Sequence, residues 1–253
     1  MPPNPILAAL KRGETVTAMW SETGSPDLAE AAVRIGWKVI VIDNEHGVAS
    51  LDKAVEIHRA VLSAGGDVII RVPSVDPVHL KQVLDRGFRS IMAPMVHDVA
   101  TAELLVDACR YPPFGSRGYA APIVRASGYG TTPDYVKTAN DELLLIAQIE
   151  HKDAVENLAD IAAVDGINAL LLGPNDLAGS HGLLERLDHP DMMALYERVE
   201  KETIASGRWF GSICRPGRSA RDLHELGCRI IVGPADIGLF LAGAREALDE
   251  FQF

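Results

Sequence analysis

The chain has 253 residues, with 24 Lys and Arg against 35 Asp and Glu, a formal charge of −11. Such an acidic balance disfavours nucleic acid or an anionic membrane as the main partner and leaves room only for a local basic pocket. With 47% apolar and 23% charged residues, disorder is excluded as the dominant state. The three cysteines, Cys109, Cys214 and Cys228, show no paired spacing. Neither a disulfide scaffold nor a thiolate zinc site is expected, and a reducing cytoplasm is the simplest compartment. Residues 1–10 lack a charged segment followed by a signal-peptide core, and no apolar run approaches membrane-spanning length.

In chain order, short apolar or β-branched runs alternate with helical patterns. The runs, at 15–20, 38–43, 68–72, 90–94, 143–150, 169–173, 209–214 and 229–233, read as strands. Their near-continuous hydrophobicity predicts burial on both faces of a parallel sheet. Between them, Ser25 before Pro26, Ser50 before Leu51, and Asp76 before Pro77 read as helix starts. Gly36, Gly87, Gly207 and Gly227 read as helix ends. Eight such units predict a single (β/α)₈ barrel over residues 1–253. One irregular stretch, 111–132, carries the Gly115-Ser116-Arg117-Gly118 turn and four aromatics, Tyr111, Phe114, Tyr119 and Tyr129, which favour an ordered loop over a linker. A last helix, over roughly 235–251, is amphipathic enough to close the barrel or to cover a neighbouring subunit.

Active sites of such barrels form at the carboxyl ends of the strands. There the second strand delivers Asp43, Glu45 and His46, the third Arg71, the fifth Gln148 and Glu150, and the sixth the run Gly173-Pro174-Asn175-Asp176. Alternation puts Gln148 and Glu150 on one side of their strand. Glu150 and Asp176 end consecutive strands, where two carboxylates can share a hard cation such as Mg²⁺ or Mn²⁺, with Co²⁺ as a substitute; each can equally well cap the helix that starts beside it. His46, three residues after Asp43, reads either as a carboxylate-oriented base or as a hydrogen-bonded loop histidine. Arg71 needs an anionic partner: a bound carboxylate, or an internal ion pair with Glu150 or Asp43. Trp20 reads as core or pocket wall. Arg215, beyond the seventh strand, reads either as an anion-selecting residue of the pocket or as an exposed partner of surface acids.

These segments together resemble the class II, metal-dependent pyruvate aldolases typified by 4-hydroxy-2-oxoheptanedioate aldolase and 2-dehydro-3-deoxyglucarate aldolase. The resemblance covers nearly the whole chain. It is carried by Ile42-Asp43-Asn44-Glu45-His46, Arg71-Val72-Pro73, Pro94-Met95-Val96, Arg110-Tyr111-Pro112-Pro113 through Arg117-Gly118, Gln148-Ile149-Glu150 and Gly173-Pro174-Asn175-Asp176-Leu177. It implies a barrel of the phosphoenolpyruvate and pyruvate superfamily, assembled as a hexamer, that cleaves a 4-hydroxy-2-oxo acid to pyruvate and an aldehyde. By the same resemblance, Glu150 and Asp176 are the metal ligands, Arg71 stabilises the enolate, and His46 with Asp43 forms an acid/base dyad. Gln148 and the backbone from Pro174 through Asn175 to Asp176 contact pyruvate, and Asp85 supports a neighbouring subunit's site. Ser212-Ile213-Cys214-Arg215-Pro216 and Gly233-Pro234-Ala235-Asp236 depart from the family pattern and so bear on the acceptor. Rival activities are oxaloacetate decarboxylation and cleavage of a coenzyme A thioester; a rival of another class is non-catalytic keto-acid binding. No strand end offers a lysine for Schiff-base chemistry.

Overall fold

Strand alternation decides what faces the barrel axis. In the computed structural model, which describes residues 2–251, eight parallel strands close in sequence order. They are β1 (Val16–Ser21), β2 (Val39–Asp43), β3 (Asp67–Arg71), β4 (Ser90–Ala93), β5 (Leu144–Ile149), β6 (Ala169–Leu172), β7 (Trp209–Ile213) and β8 (Ile230–Ala235). All eight lie where the sequence predicts them, with ends shifted by one or two residues. Side chains divide by parity into two cores. Val39, Val41, Ile69, Leu144, Ile146 and Leu171 fill the barrel interior, whereas Ile40, Ile42, Ile70, Leu145 and Leu172 bury against the surrounding helices. Continuing the inward parity past each strand's last apolar residue gives Asp43, Arg71, Gln148 and Glu150 at the mouth.

The predicted helix signals act as read. Ser25, Ser50 and Asp76 each accept a backbone N–H of the first turn, and Gly227 ends the Ala220–Leu226 helix at φ 103. A further helix, Pro5–Lys11, was not foreseen. Asn4 caps it, and Ile6, Leu7 and Leu10 plug the amino-terminal end of the barrel. The 111–132 stretch is ordered by its own small core of Tyr111, Ala121, Tyr135 and Ala139, while Phe114, Tyr119 and Tyr129 stay exposed. The final helix, Asp236–Asp249, does not close the barrel: Asp236 is its only buried residue, and Leu239, Phe240, Leu241 and Leu248 stand in solvent. Among the described residues, all three cysteines are free and no helix is long and apolar enough to cross a membrane.

His58, on the Leu51–Ser63 helix, is buried and stacks on Phe88 at 4.7 Å. Burial first, and then the charges of Arg125, Arg89 and Arg59, push its imidazole down to about 3. A depressed histidine stabilises the fold fully above its unfolded value near 6.5 and loses that contribution as pH falls, because the unfolded chain then binds the extra proton. Between pH 7.5 and 5 this costs about 2 kcal/mol. Urea unfolding at the two pH values should therefore show a drop in stability that is smaller by that amount in His58→Gln.

Candidate active site

The inward parity of β2 and β3 brings Asp43 and Arg71 side by side as register partners. Arg71 donates from Nε to Asp43 Oδ1 at 2.9 Å and from Nη2 to Oδ2 at 2.7 Å, a bidentate pair with Asp43 fully buried. Its Nη1 lies 3.2 Å from Glu45 Oε2, and the guanidinium sits 4.5 Å over the Trp20 ring. Asp43 Oδ1 also accepts the backbone N–H groups of Glu45 and His46. Burial pushes the Asp43 carboxyl up, but Arg71 and the two N–H groups outweigh it and hold the group below its ordinary range.

This geometry corrects one expectation. Asp43 meets the backbone of His46 and not its imidazole, so the two do not form a side-chain dyad. The His46 ring is 65% exposed, and its nearest carboxylate is Glu45, 3.8 Å from Nε2. Arg71 satisfies the internal ion-pair reading toward Asp43 while its exposed edge still lines the cavity.

Two strands along from Arg71, the end of β5 carries Gln148 and, one residue past the strand, Glu150, both 2% exposed. Glu150 Oε1 accepts the Met95 N–H at 2.7 Å, and Oε2 accepts Gln148 Nε2 at 2.6 Å. Met95 reaches that position from the end of β4 with φ 54, a left-handed backbone costing of order 1 kcal/mol or more for a non-glycine residue. Gly173 leaves the space Glu150 needs: a Cβ there would lie 2.5 Å from Oε2 and 2.7 Å from Glu150 Cβ. Burial drives the Glu150 carboxyl up to about 7; the Met95 N–H and Arg71 oppose this, while the negative charges of Glu45 and Asp176 add to it. Asp176 stands exposed in the first turn of the Pro174–Ser180 helix.

One cavity of about 740 Å³ at the carboxyl ends of the strands unites Trp20, His46, Arg71, Gln148, Glu150, Pro174, Asn175 and Asp176. Among the described residues no three His, Cys, Asp or Glu side chains gather as a metal-binding group. Gln148 Oε1 is buried without a hydrogen-bond partner. An unpartnered amide oxygen next to the Glu150 carboxylate, with Asp176 lining the same cavity, gives an all-oxygen donor set that fits a hard divalent cation whose remaining positions go to water or a chelating ligand.

Two predicted site residues lie elsewhere. Asp85, the last residue of the Pro77–Asp85 helix, accepts from Arg117 Nη2 at 2.8 Å and does not line the cavity. Arg215 is neither in the pocket nor on the surface. It is buried behind β7, where it pairs with Glu200, donates to Ser212 Oγ at 2.8 Å and covers the Tyr196 ring at 5.1 Å. The strand ends at Ile213, the backbone turns so that Arg215 and Arg218 form an isolated bridge, and the side chain swings outward to the 190–205 helix. Sequence reasoning missed Glu22, a cavity residue reached by continuing the inward parity of β1, and Asp236, which accepts the N–H groups of Glu22 and Thr23 and fixes that strand end. Burial, with Asp43 and Asp236 adding, pushes the Glu22 carboxyl up despite Arg71 and His46.

Asp43→Asn should lower stability by about 3 kcal/mol in urea unfolding, the low end for breaking a buried ion pair, because the largely buried Arg71 keeps only Glu45 as its countercharge. In the double variant Asp43→Asn with Arg71→Met most of that loss should return, since no buried guanidinium is left beside the neutral amide.

Comparisons with known proteins assign the chain's family. The family described as HpcH/HpaI aldolase/citrate lyase matches residues 17–242. A 4-hydroxy-2-oxovalerate aldolase of Novosphingobium aromaticivorans is 39% identical over 98% of this chain and 94% of its own length. A hydroxypyruvate/pyruvate aldolase of Cupriavidus necator is 34% identical over 98% of this chain and 93% of its own. The crystal structure of a family protein from Burkholderia cenocepacia J2315 superposes with a TM-score of 0.92 at 32% identity, covering 98% of this chain and 99% of that one. The chain therefore belongs to the HpcH/HpaI aldolase/citrate lyase family, and within it to the aldolases.

Proposed function

We propose that this aldolase reversibly cleaves a 4-hydroxy-2-oxo acid to pyruvate and an uncharged aldehyde, with Glu150 and Asp176 holding a divalent cation, Mg²⁺ or Mn²⁺ and with Co²⁺ as a substitute. The observation that carries the reading is one cavity with an immobilised guanidinium, Arg71, on one wall and an under-compensated oxygen set, Glu150, Asp176 and Gln148 Oε1, on the other. A bound cation would supply Lewis-acid polarisation of the keto and carboxylate oxygens of pyruvate.

The chain's own groups divide the remaining work. In cleavage, His46 at the cavity mouth takes the proton of the C4 hydroxyl, the C3–C4 bond breaks, and its electron pair becomes the pyruvate enolate. The aldehyde leaves with the former C4. Negative charge collects on the C2 oxygen, where Arg71 stabilises it; because Asp43 already fixes the guanidinium, little reorganisation is needed as charge develops. Return of a proton to C3 gives pyruvate. Asp43 is on this account a positioning residue, and Glu45 is the carboxylate beside the imidazole. Gln148 and the Pro174–Asn175 backbone orient the keto acid.

The acceptor end of the cavity is formed by Trp20, Ile213, Cys214 and Pro234, with Glu22 beside them and with the Arg71 guanidinium over the Trp20 ring already countered by Asp43 and Glu45. Arg215, which the sequence left open as a pocket cation or a surface partner, is tied to Glu200. A neutral wall with an acid beside it favours an aldehyde without a carboxylate or phosphate.

With Mg²⁺ or Mn²⁺ present, pyruvate and propanal should condense to a 4-hydroxy-2-oxo acid identified by mass, at a kcat/KM at least about tenfold above that for succinic semialdehyde, a difference of about 1.4 kcal/mol. Glu150→Gln and Asp176→Asn should lose the cation-dependent turnover, and Arg71→Lys should lose on the order of 10²-fold. Unchanged turnover in the two carboxylate variants would overturn the cation site. Preference for the charged aldehyde would overturn the acceptor assignment alone.

We also propose that the chain acts as an oligomer, as a hexamer by family resemblance, with the Asp236–Asp249 helix laid on a neighbouring subunit and Asp85 supporting a neighbour's site. An exposed helix bearing Leu239, Phe240, Leu241 and Leu248 supports this. Phe240→Asp should shift the protein to a smaller species in light scattering.

A further inference from the structure

We infer that the chain carries a second ligand site, on the flank of the barrel near the amino-terminal ends of β4 and β5, that binds a small organic carboxylate with an apolar body. The inference starts from a cavity of about 290 Å³ that shares no lining residue with the active-site cavity. In a protein of charge −11 this cavity gathers three guanidinium groups, Arg89, Arg117 and Arg125.

Their countercharges do not suffice. Arg125 is half-buried; its Nη1 donates to the Arg86 carbonyl at 2.5 Å and lies 3.4 Å from His58 Nδ1, and among the described residues no carboxylate pairs with it. Burial and the charge of Arg59 make its protonated form harder to keep. Arg117 is 4% exposed, and although Asp85 and the Tyr111 ring engage it, its Nε is buried without a hydrogen-bond partner. Arg89 donates to the Pro2 carbonyl at 2.7 Å, and its nearest carboxylate, Asp67, is 3.9 Å away. The two acids in reach, Asp67 and Asp85, leave one cation and one buried donor unmatched. An anion bound in the cavity supplies the countercharge that Arg125 lacks.

The rest of the lining selects the kind of anion. Leu62, Leu84, Phe88 and Leu143 form an apolar wall beside the arginines. Inorganic phosphate would satisfy the guanidinium groups but leave that wall wet. A carboxylate on a short hydrocarbon body satisfies both halves, and the cavity's volume is at the small end of the range for ligand pockets.

Calorimetric titration of the whole protein at low ionic strength tests this, with pyruvate in excess so that Arg71 is occupied and hexanoate as the probe. Saturable binding of one hexanoate per chain is expected, with hexanol and inorganic phosphate each at least tenfold weaker. Arg125→Met should weaken hexanoate at least tenfold while leaving condensation of pyruvate with propanal at the parent rate. A parallel Arg125→Gln variant, checked by its melting temperature, replaces it should the first not fold. Absence of hexanoate binding, equal binding by phosphate, or unchanged affinity in both folded variants would each overturn the site.

Discussion

A single buried carboxylate, Asp43, organises the mouth of this barrel. Its Oδ1 accepts from Arg71 Nε, Glu45 N and His46 N, and its Oδ2 from Arg71 Nη2. Four donors on one fully buried group offset the cost of removing its charge from water, which no single partner would do. The same bonds set two further things at once: the guanidinium's position over Trp20 and the path of the tight turn after β2. That turn tolerates no side chain at Gly47, where a Cβ would lie 2.4 Å from the Asp43 carbonyl oxygen. Arg71 and the loop bearing Glu45 and His46 are thus not independent features of the site but two consequences of one charge.

At the end of β5, Glu150 has the reverse electrostatics. Asp43 gains a full cation and is held down; Glu150 gains one backbone N–H and one amide, faces Glu45 and Asp176, and is driven up by its burial. Two carboxylates at one barrel mouth are thereby separated in proton affinity by environment alone, as functional carboxyl pairs commonly are. The unusual φ of Met95 and the missing Cβ of Gly173 show that the fold holds Glu150 in place at some local cost. Such a group is poised for a positive charge that the chain itself does not provide at that point.

Strand parity explains how much of this was legible in the sequence. The eight strands, and the inward positions of Asp43, Arg71, Gln148 and Glu150, follow from period-2 alternation in buried apolar runs, because a closed parallel barrel leaves each residue only two directions. Parity stops being informative where a strand ends. His46 lies three residues past β2 in a turn, so adjacency to Asp43 fixed its backbone and said nothing about its ring. Arg215, two residues past Ile213, would point inward if β7 continued, and it does not. Glu22 was readable by the same alternation along β1 but carried no motif. Asn4 and the helix it caps were marked by an Asn-Pro start, and a sequence of seven residues was too short to show periodicity.

Arg215 also shows that a residue can bear on a cavity without lining it. Its guanidinium, fixed by Glu200 and Ser212, covers the face of Tyr196, and the Tyr196 hydroxyl donates to the Pro174 carbonyl at 3.2 Å. Pro174 begins the short helix whose first turn presents Asp176. A chain of contacts therefore runs from a buried ion pair behind β7, through an aromatic ring, to the backbone that aims one of the two cavity carboxylates. The pair is shielded from solvent, with Arg218 closing on the other oxygen of Glu200 at 3.0 Å and Glu197 lying 4.0 Å from Arg218, so that two acids face two guanidinium groups. An arginine in that position supports the strand-end loop from behind and contributes no charge to the cavity lining. Glu22 then stands on the cavity lining with a carboxyl pushed up by burial and by Asp43 and Asp236, against the opposing charge of Arg71 beside it.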